Sequence, residues 1–187
     1  MISSDNVPAN QVSMVGRYAP DFELPGTDGS VYHLARRLES HRAIAIVFLS
    51  AACSTSTQVL IRLQQLQAEF AEKGFTVIGI SANDRVQVPE DDLPCMETFV
   101  ERNKIAFPYI RDVTQDVARA FHVTCTPEVF LLDQESRIRY QGAIDDSPED
   151  GNQVTKRYLR SAVMDLLYGQ DITLTQTAVS GTAIAWR

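Results

Sequence analysis

A single cysteine, Cys53, follows an apolar stretch and precedes a helix-like pattern within FLSAACSTST, residues 48–57. A cysteine at the start of a helix faces unpaired backbone N–H groups and the positive end of the helix dipole, and both favour the thiolate over the thiol. The thiolate is the nucleophile in disulfide exchange and in peroxide reduction. The position therefore predicts a reactive thiol. The alternative is a small buried hydrophobic residue, because free cysteine often has that role.

Ser50 lies three residues before Cys53, where a C-x-x-C pair would have its first cysteine. A hydroxyl group cannot form a disulfide, so Ser50 cannot resolve a mixed disulfide on Cys53. The other two cysteines, Cys95 and Cys125, are dispersed and lack the spacing of metal ligands. We therefore expect no disulfide framework, no metal and no bound cofactor, and we interpret Cys95 as a bystander.

The composition is that of an ordinary globular domain, with 187 residues, 44% hydrophobic and 22% charged. The net charge of −7 and the absence of a basic run argue against nucleic acid or an anionic membrane as a partner. Residues 1–14 lack the features of a secretory signal, and no apolar run approaches the ~20 residues of a membrane span. We expect a cytoplasmic protein with a flexible segment over 1–15, one domain over 16–170 and an extended C-terminal arm over 171–187.

Apolar periodicity predicts the elements that position these side chains. Strands are expected near 21–24, 31–34, 43–50, 75–82, 107–110, 127–133 and 137–145, and helices at 55–72, around 96–100, at 114–121 and at 153–168. The first two strands form a hairpin, and residues 83–94 form an acidic loop. Alternating strands and helices followed by a closing hairpin predict an α/β fold, with a parallel centre and an antiparallel edge in one mixed sheet.

This order of elements resembles a thioredoxin-like fold with an N-terminal β-hairpin and a central mixed sheet flanked by helices. APDFEL…DG at 19–29 resembles the opening of the alkyl hydroperoxide reductase/thiol-specific antioxidant superfamily. SANDRVQVPED at 81–91, FPYIRDVTQDVARAFHVTCTPEVFLLD at 107–133 and YQGAIDD at 140–146 resemble a bacterial branch of peroxiredoxin-like, thioredoxin-family proteins. Members of that branch usually carry C-N-H-C-P where this chain has SAACS, and a cysteine in a G-C-S-I-K-W-like tail where it has Thr182.

The resemblance implies roles for residues near Cys53. Ser50 matches the Thr/Ser of the peroxiredoxin motif P-x-x-x-T/S-x-x-C, whose hydroxyl would orient the peroxide. The proline of that motif is replaced here by Ile46, and the peroxiredoxin arginine by Pro127. Thr126 and Pro127 match the cis-proline loop that faces the cysteine and pairs with an extended substrate in thioredoxin-fold proteins; the alternative is that Pro127 merely begins an edge strand.

Two further residues of TCTPE are candidates for the same site. Cys125 should lie near Cys53 and would either resolve an oxidised Cys53 through a disulfide or simply pack in the interior. Glu128 is a weaker candidate, as a proton shuttle or as part of the substrate-binding loop.

The function that the resemblance implies is a thiol oxidoreductase with one active-site cysteine, which reduces peroxides or disulfides. An external thiol of thioredoxin or glutathione type would recycle it, and homodimers are frequent in the superfamily. The alternative is a redox-inactive or weakly active protein that serves as a peptide-binding module or a redox sensor, because Ser50, Ile46, Pro127 and Thr182 all depart from the pattern.

Overall fold

The computed structural model describes residues 11–187, which fold around a five-stranded mixed sheet in the order β5-β4-β3-β7-β8. The pairs β3–β4 and β4–β5 are parallel, and β3–β7 and β7–β8 are antiparallel. The strands are β1 Glu23–Pro25, β2 Val31–His33, β3 Ala43–Phe48, β4 Phe75–Ser81, β5 Tyr109–Arg111, β6 Cys125–Thr126, β7 Glu128–Asp133, β8 Ile138–Gly142 and β9 Thr182–Ala183. The helices are α1 Leu34–Ser40, α2 Ser54–Phe70, α3 Leu93–Asn103, α4 Asp116–Ala120 and α5 Tyr158–Leu167.

The sheet separates two hydrophobic layers, because successive side chains of a strand point to opposite faces. In β3, Ala43, Ala45 and Val47 pack with residues of α2 and α5, whereas Ile44, Ile46 and Phe48 pack with residues of α1, α4 and the β1–β2 hairpin. Every residue of β3 and β4 is buried, as expected of parallel strands covered on both faces. The mixed α/β class and the N-terminal hairpin expected from the sequence are both present.

The helices differ from the sequence expectations at several ends. Helix α1 was not predicted, because it has only seven residues and its single fully buried side chain is Leu34. Helix α4 begins at Asp116 rather than Thr114, since Gln115 has a left-handed backbone (φ 66°) and its side chain donates a hydrogen bond to the Ala82 carbonyl.

Helix α5 also begins later than predicted, at Tyr158 rather than Gln153. The Asp146 carboxylate accepts hydrogen bonds from the backbone N–H groups of Thr155 and Lys156. These bonds tie the segment before the helix to the loop after β8, so it does not continue the helical pattern.

Both ends of the described chain pack on the domain. Residues 1–10, most of the segment expected to be flexible, lie outside the described residues; of the rest of that segment, Met14 is buried. In the C-terminal arm, the backbone around Thr175–Thr177 bonds to Gln141, and β9 pairs antiparallel with β6. No helix within residues 11–187 has the length and apolar character needed to cross a membrane.

Candidate active site

Cys53 lies at the N-cap of α2, immediately after the turn that leaves β3. Its sulfur accepts a hydrogen bond from the backbone N–H of Ser56 at 3.4 Å, in the way that an N-cap oxygen does. The Cys53 carbonyl accepts the first helical bond, from Thr57 N at 3.1 Å. The 17-residue helix therefore directs one of its free N–H groups at the sulfur, as the sequence led us to expect.

The turn before Cys53 is held by a buried carboxylate from a distant loop. Asp91 is fully buried, and its Oδ1 accepts a hydrogen bond of 2.7 Å from the backbone N–H of Ala51. Its other oxygen accepts one of 2.7 Å from the side-chain amide of Asn83. Asp91 thus fixes the backbone that presents the sulfur.

A second loop faces the sulfur. The peptide bond between Thr126 and Pro127 is cis, and the Thr126 carbonyl lies 3.3 Å from Cys53 Sγ. This carbonyl accepts a hydrogen bond from the protonated thiol, and the bond is lost when the thiol ionises. The sulfur therefore lies against the peptide group that precedes Pro127.

The third contact comes from the C-terminal arm. Thr182 Oγ1 donates a hydrogen bond of 3.3 Å to Cys53 Sγ. The β6–β9 register places Thr182 opposite Thr126, and the Thr126 hydroxyl bonds to the Thr182 carbonyl at 3.5 Å. Between these neighbours, only 2% of Cys53 is exposed.

Burial and hydrogen bonding act in opposite directions on the Cys53 thiol. Burial, the largest single effect, raises its pKa, because it disfavours the charged form. The hydrogen bonds from Ser56 and Thr182, with a smaller effect from Thr126, outweigh burial, so the pKa of Cys53 is lowered to about 7. Both donors are neutral, so the thiolate in this part of the chain is stabilised by dipoles rather than by an arginine. The thiol and the thiolate of Cys53 are therefore both populated near neutral pH.

Ser50 is buried beside the site but directs its hydroxyl elsewhere. Its Oγ accepts a hydrogen bond of 3.2 Å from the Ala52 N–H, its carbonyl accepts one of 3.2 Å from the Cys53 N–H, and its own N–H donates to Ser56 Oγ at 3.3 Å. In this structure Ser50 therefore organises the turn around Cys53, and Ser56 and Thr182 provide the polar contacts to the sulfur.

Cys125 is a free, buried thiol one residue before the carbonyl that touches Cys53. Burial, with the nearby Glu128 as a smaller effect, raises the pKa of Cys125 to about 11. At neutral pH Cys125 is therefore protonated and is a much weaker nucleophile than Cys53. The exposed Cys95 lies on α3.

Glu128 is fully buried, and its contacts are with the scaffold of the loop rather than with Cys53. Its Oε2 accepts hydrogen bonds from the backbone N–H (3.0 Å) and the hydroxyl (3.4 Å) of Thr124, and its Oε1 accepts bonds from Gln11 and Gln141. Burial raises the pKa of the Glu128 carboxyl. The residue anchors the start of β6 to the core.

Sequence reasoning did not assign a role to three residues that shape the site. Ser56 was detectable, because the third residue after an N-cap usually donates to the capping atom. Asp91 lay in the segment interpreted as an acidic loop, and Thr182 was considered only as the replacement of a cysteine. Neither of these two carries a local signal that would link it to Cys53.

The fold and the site together define the class of protein. The AhpC/TSA family matches residues 15–141, more than half of the chain, so the chain belongs to the AhpC/TSA family. The expected resemblance to this superfamily is thereby confirmed.

Two proteins similar in sequence to this chain are named for peroxide reduction and for thiol-disulfide exchange. The chain is 25% identical over 146 residues to alkyl hydroperoxide reductase C of Helicobacter pylori, covering 72% of each protein. It is 24% identical over 127 residues to the thiol-disulfide oxidoreductase ResA of Halalkalibacterium halodurans, covering 68% of this chain and 67% of the relative.

Solved structures extend the similarity over almost the whole chain. A hypothetical protein of Sinorhizobium meliloti superposes with a TM-score of 0.88 at 34% identity, covering 95% of this chain and 97% of the other. Peroxidoxin BcpB of Mycobacterium tuberculosis superposes with a TM-score of 0.60 at 20% identity, covering 84% and 96%. The expected thioredoxin-like fold is confirmed.

Proposed function

We propose that this protein is a thiol oxidoreductase in which Cys53 alone is the attacking nucleophile. The observation that carries the proposal is the sulfur at the N-terminus of α2, hydrogen-bonded by Ser56 and Thr182 and opposite the Thr126–Pro127 loop. These contacts lower the pKa of Cys53 to about 7, where a useful fraction is ionised and the thiolate still retains good nucleophilicity.

With a hydroperoxide, the thiolate attacks one peroxide oxygen, so that an S–O bond forms as the O–O bond breaks. The sulfur is oxidised by two electrons to sulfenic acid, and the peroxide is reduced to an alkoxide or hydroxide that takes a proton from water. With a disulfide, the same thiolate attacks one sulfur, forms a mixed disulfide and releases the other sulfur as a thiolate.

Recycling requires a second thiol. An external thiol attacks the sulfenic sulfur, forms a mixed disulfide and releases water, and a second external thiolate then frees Cys53 by attacking the external sulfur. Cys125 is the internal candidate for the first of these attacks. Its high pKa makes it a slow partner at neutral pH, so we assign the main recycling route to an external thiol.

The test is the reactivity of Cys53 as a function of pH. Alkylation of the full-length protein by iodoacetamide, with the labelled residue identified by mass spectrometry, should rise with a midpoint near pH 7. Hydrogen peroxide should oxidise Cys53 to a sulfenic acid that a dimedone-type reagent traps, and added dithiothreitol should sustain peroxide consumption.

Cys53→Ser should abolish both reactions, whereas Cys95→Ser should leave them unchanged, because Cys95 is exposed and lies on α3 away from the described contacts of the sulfur. Peroxide consumption that persists in Cys53→Ser would remove the proposal. A midpoint of Cys53 alkylation at or above ~8.5, the pKa of a free cysteine, would instead favour the alternative of a peptide-binding module or redox sensor. Recycling that slows in Cys125→Ser would transfer the resolving role to Cys125.

A further inference from the structure

We propose, on the basis of the function proposed above, that the C-terminal arm sets the substrate class of Cys53. Residues 181–183 occupy the backbone edge beside the sulfur on which an extended peptide would bind. Cys53 is thereby restricted to small oxidants, namely hydroperoxides and low-molecular-weight disulfides, and polypeptide disulfides are excluded.

The edge in question is β6. This strand has two residues, and the strand with which it pairs is β9 of the arm. An unpaired edge of this kind binds an extended chain by adding a strand, with main-chain hydrogen bonds supplying the affinity. The Thr126 carbonyl lies 3.3 Å from Cys53 Sγ, so a peptide paired with β6 would present its own sulfur beside the nucleophile. The arm already holds that position.

Gly181 is the residue that lets the arm lie so close. A Cβ atom at this position would fall 2.0 Å from the Thr126 carbonyl oxygen, far inside van der Waals contact, and 3.1 Å from Pro127 Cδ. Every other residue type would therefore push the arm away from the loop. The φ angle of Gly181 is not among the left-handed ones, so the requirement for glycine here is one of space.

The arm is fixed on both sides of this contact. Before it, the buried Thr177 bonds through its N–H to the Gln141 carbonyl and through Oγ1 to the Ala143 N–H. After it, the Ile184 side chain is buried in the hydrophobic layer on one face of the sheet, and the Ala185 carbonyl accepts bonds from Asp84 N and the Gln115 side chain. Covering the edge is thus a stable property of the fold.

A buried hydrogen-bond chain joins the arm to the turn that presents Cys53. The Ala185 N–H donates to Asn83 Oδ1 at 2.8 Å, Asn83 Nδ2 donates to Asp91, and Asp91 accepts from the Ala51 N–H. Asn83 is 3% exposed and Asp91 is fully buried. The same network therefore holds both the nucleophile and the segment that covers it.

The arm contributes one donor to the sulfur while it closes the edge. With Thr182 in place, the thiolate is favoured, but 2% exposure of Cys53 leaves no room for a second chain beside β6. A peroxide of a few atoms needs only a small opening and no strand pairing. Closure thus favours reaction with small oxidants and opposes reaction with polypeptides.

The test compares three full-length proteins with two disulfides: the wild type, Gly181→Val and Ser180→Val, each also carrying Cys95→Ser, because the exposed Cys95 thiol would otherwise react with both disulfides. One is the mixed disulfide of thionitrobenzoate with a ten-residue unstructured peptide that contains one cysteine, and the other is the mixed disulfide of thionitrobenzoate with cysteamine. Release of thionitrobenzoate gives each second-order rate constant at pH 9, and the ratio of the two rate constants of one protein does not depend on the ionised fraction of its Cys53. Ser180→Val introduces the same side chain at an exposed neighbour and is the matched control.

We expect the ratio of the peptide rate to the cysteamine rate to be at least tenfold higher in Gly181→Val than in the wild type and in Ser180→Val. Gly181→Ala carries the same Cβ clash and replaces the valine variant if that protein does not fold. Equal ratios in all three proteins, or a ratio near one in the wild type, would overturn the inference. Trapping of a Cys53 sulfenic acid by peroxide in the wild type is measured in parallel, and its failure would overturn the proposed function instead.

Discussion

Replacing Thr182 by valine tests whether the arm contributes to the ionisation of Cys53. Valine keeps the shape of threonine but removes the hydroxyl that donates to the sulfur at 3.3 Å. A hydrogen bond of this kind to a charged acceptor is worth about 1.5–3 kcal/mol, and we take about 1 kcal/mol because Thr182 is exposed and water can replace part of it.

A loss of about 1 kcal/mol corresponds to ~0.7 pH unit in the midpoint of Cys53 ionisation. The pKa of Cys53 is about 7 in the wild type, so the ionised fraction at pH 7 falls from about one half to roughly one sixth. We therefore expect the alkylation rate of Cys53 to fall about threefold at pH 7. The midpoint of the alkylation rate as a function of pH should move upward. The plateau rate at high pH separately reports how accessible the sulfur is to the reagent.

Two variants serve as controls for the same assay. Thr182→Ser retains a hydroxyl and should restore the wild-type midpoint. Thr57→Val removes the hydroxyl of another exposed threonine, which bonds to the Cys53 carbonyl and not to the sulfur, so the Cys53 midpoint should stay near 7. A Thr182→Val midpoint within about 0.2 pH unit of the wild type, or a serine variant that behaves like valine, would refute the reasoning.

Other perturbations follow from the same contacts. The pKa of Cys53 is depressed to about 7 in the folded state, so the free energy of unfolding of the wild type, relative to Cys53→Ser, should rise by up to about 2 kcal/mol between pH 7 and pH 9. This gain should be lost as the pH falls through 7. Urea unfolding at several pH values measures it, and a difference that does not change with pH would contradict the lowered pKa. Asp91→Ala leaves the Ala51 N–H and the Asn83 amide without their buried acceptor, and should cost about 2–4 kcal/mol in the same assay, whereas the exposed Glu90→Ala should have little effect. Glu128→Ala removes the acceptor of Thr124, Gln11 and Gln141 and should cost about 2–3 kcal/mol; a thermal midpoint equal to the wild type would argue against its anchoring role. Gly142→Ala should destabilise by at least about 2 kcal/mol, since its φ is 146° and its Cβ would lie 2.2 Å from Thr177 Oγ1, whereas Gly29→Ala meets no atom within 4 Å and should cost less.

The parts of the site that the sequence predicted are those encoded by neighbouring residues. Apolar residues of β3, the polar turn and the start of α2 are contiguous, so the placement of Cys53 at a helix N-terminus followed from local pattern alone. The α/β class also followed, because buried parallel strands read as continuous apolar runs.

The contacts that sequence reasoning missed join residues far apart in the chain. Thr182 is 129 residues from Cys53, and Asp91 is 40 residues from Ala51. An exposed threonine in a tail and an aspartate in an acidic loop have no periodicity that would reveal these partners. The late start of α5 has the same origin, because Asp146 captures the backbone N–H groups of Thr155 and Lys156 from outside the helical pattern.

The sulfur of Cys53, which we propose as the nucleophile, is also the capping group of a 17-residue helix. When the sulfur forms a bond to oxygen or to another sulfur, it no longer carries the negative charge that strengthens the hydrogen bond from the Ser56 N–H. The first turn of α2 is then less well capped. The oxidation state of the Cys53 sulfur therefore affects the stability of the first turn of α2. Amide exchange at that first turn would report the redox state without any chemical label.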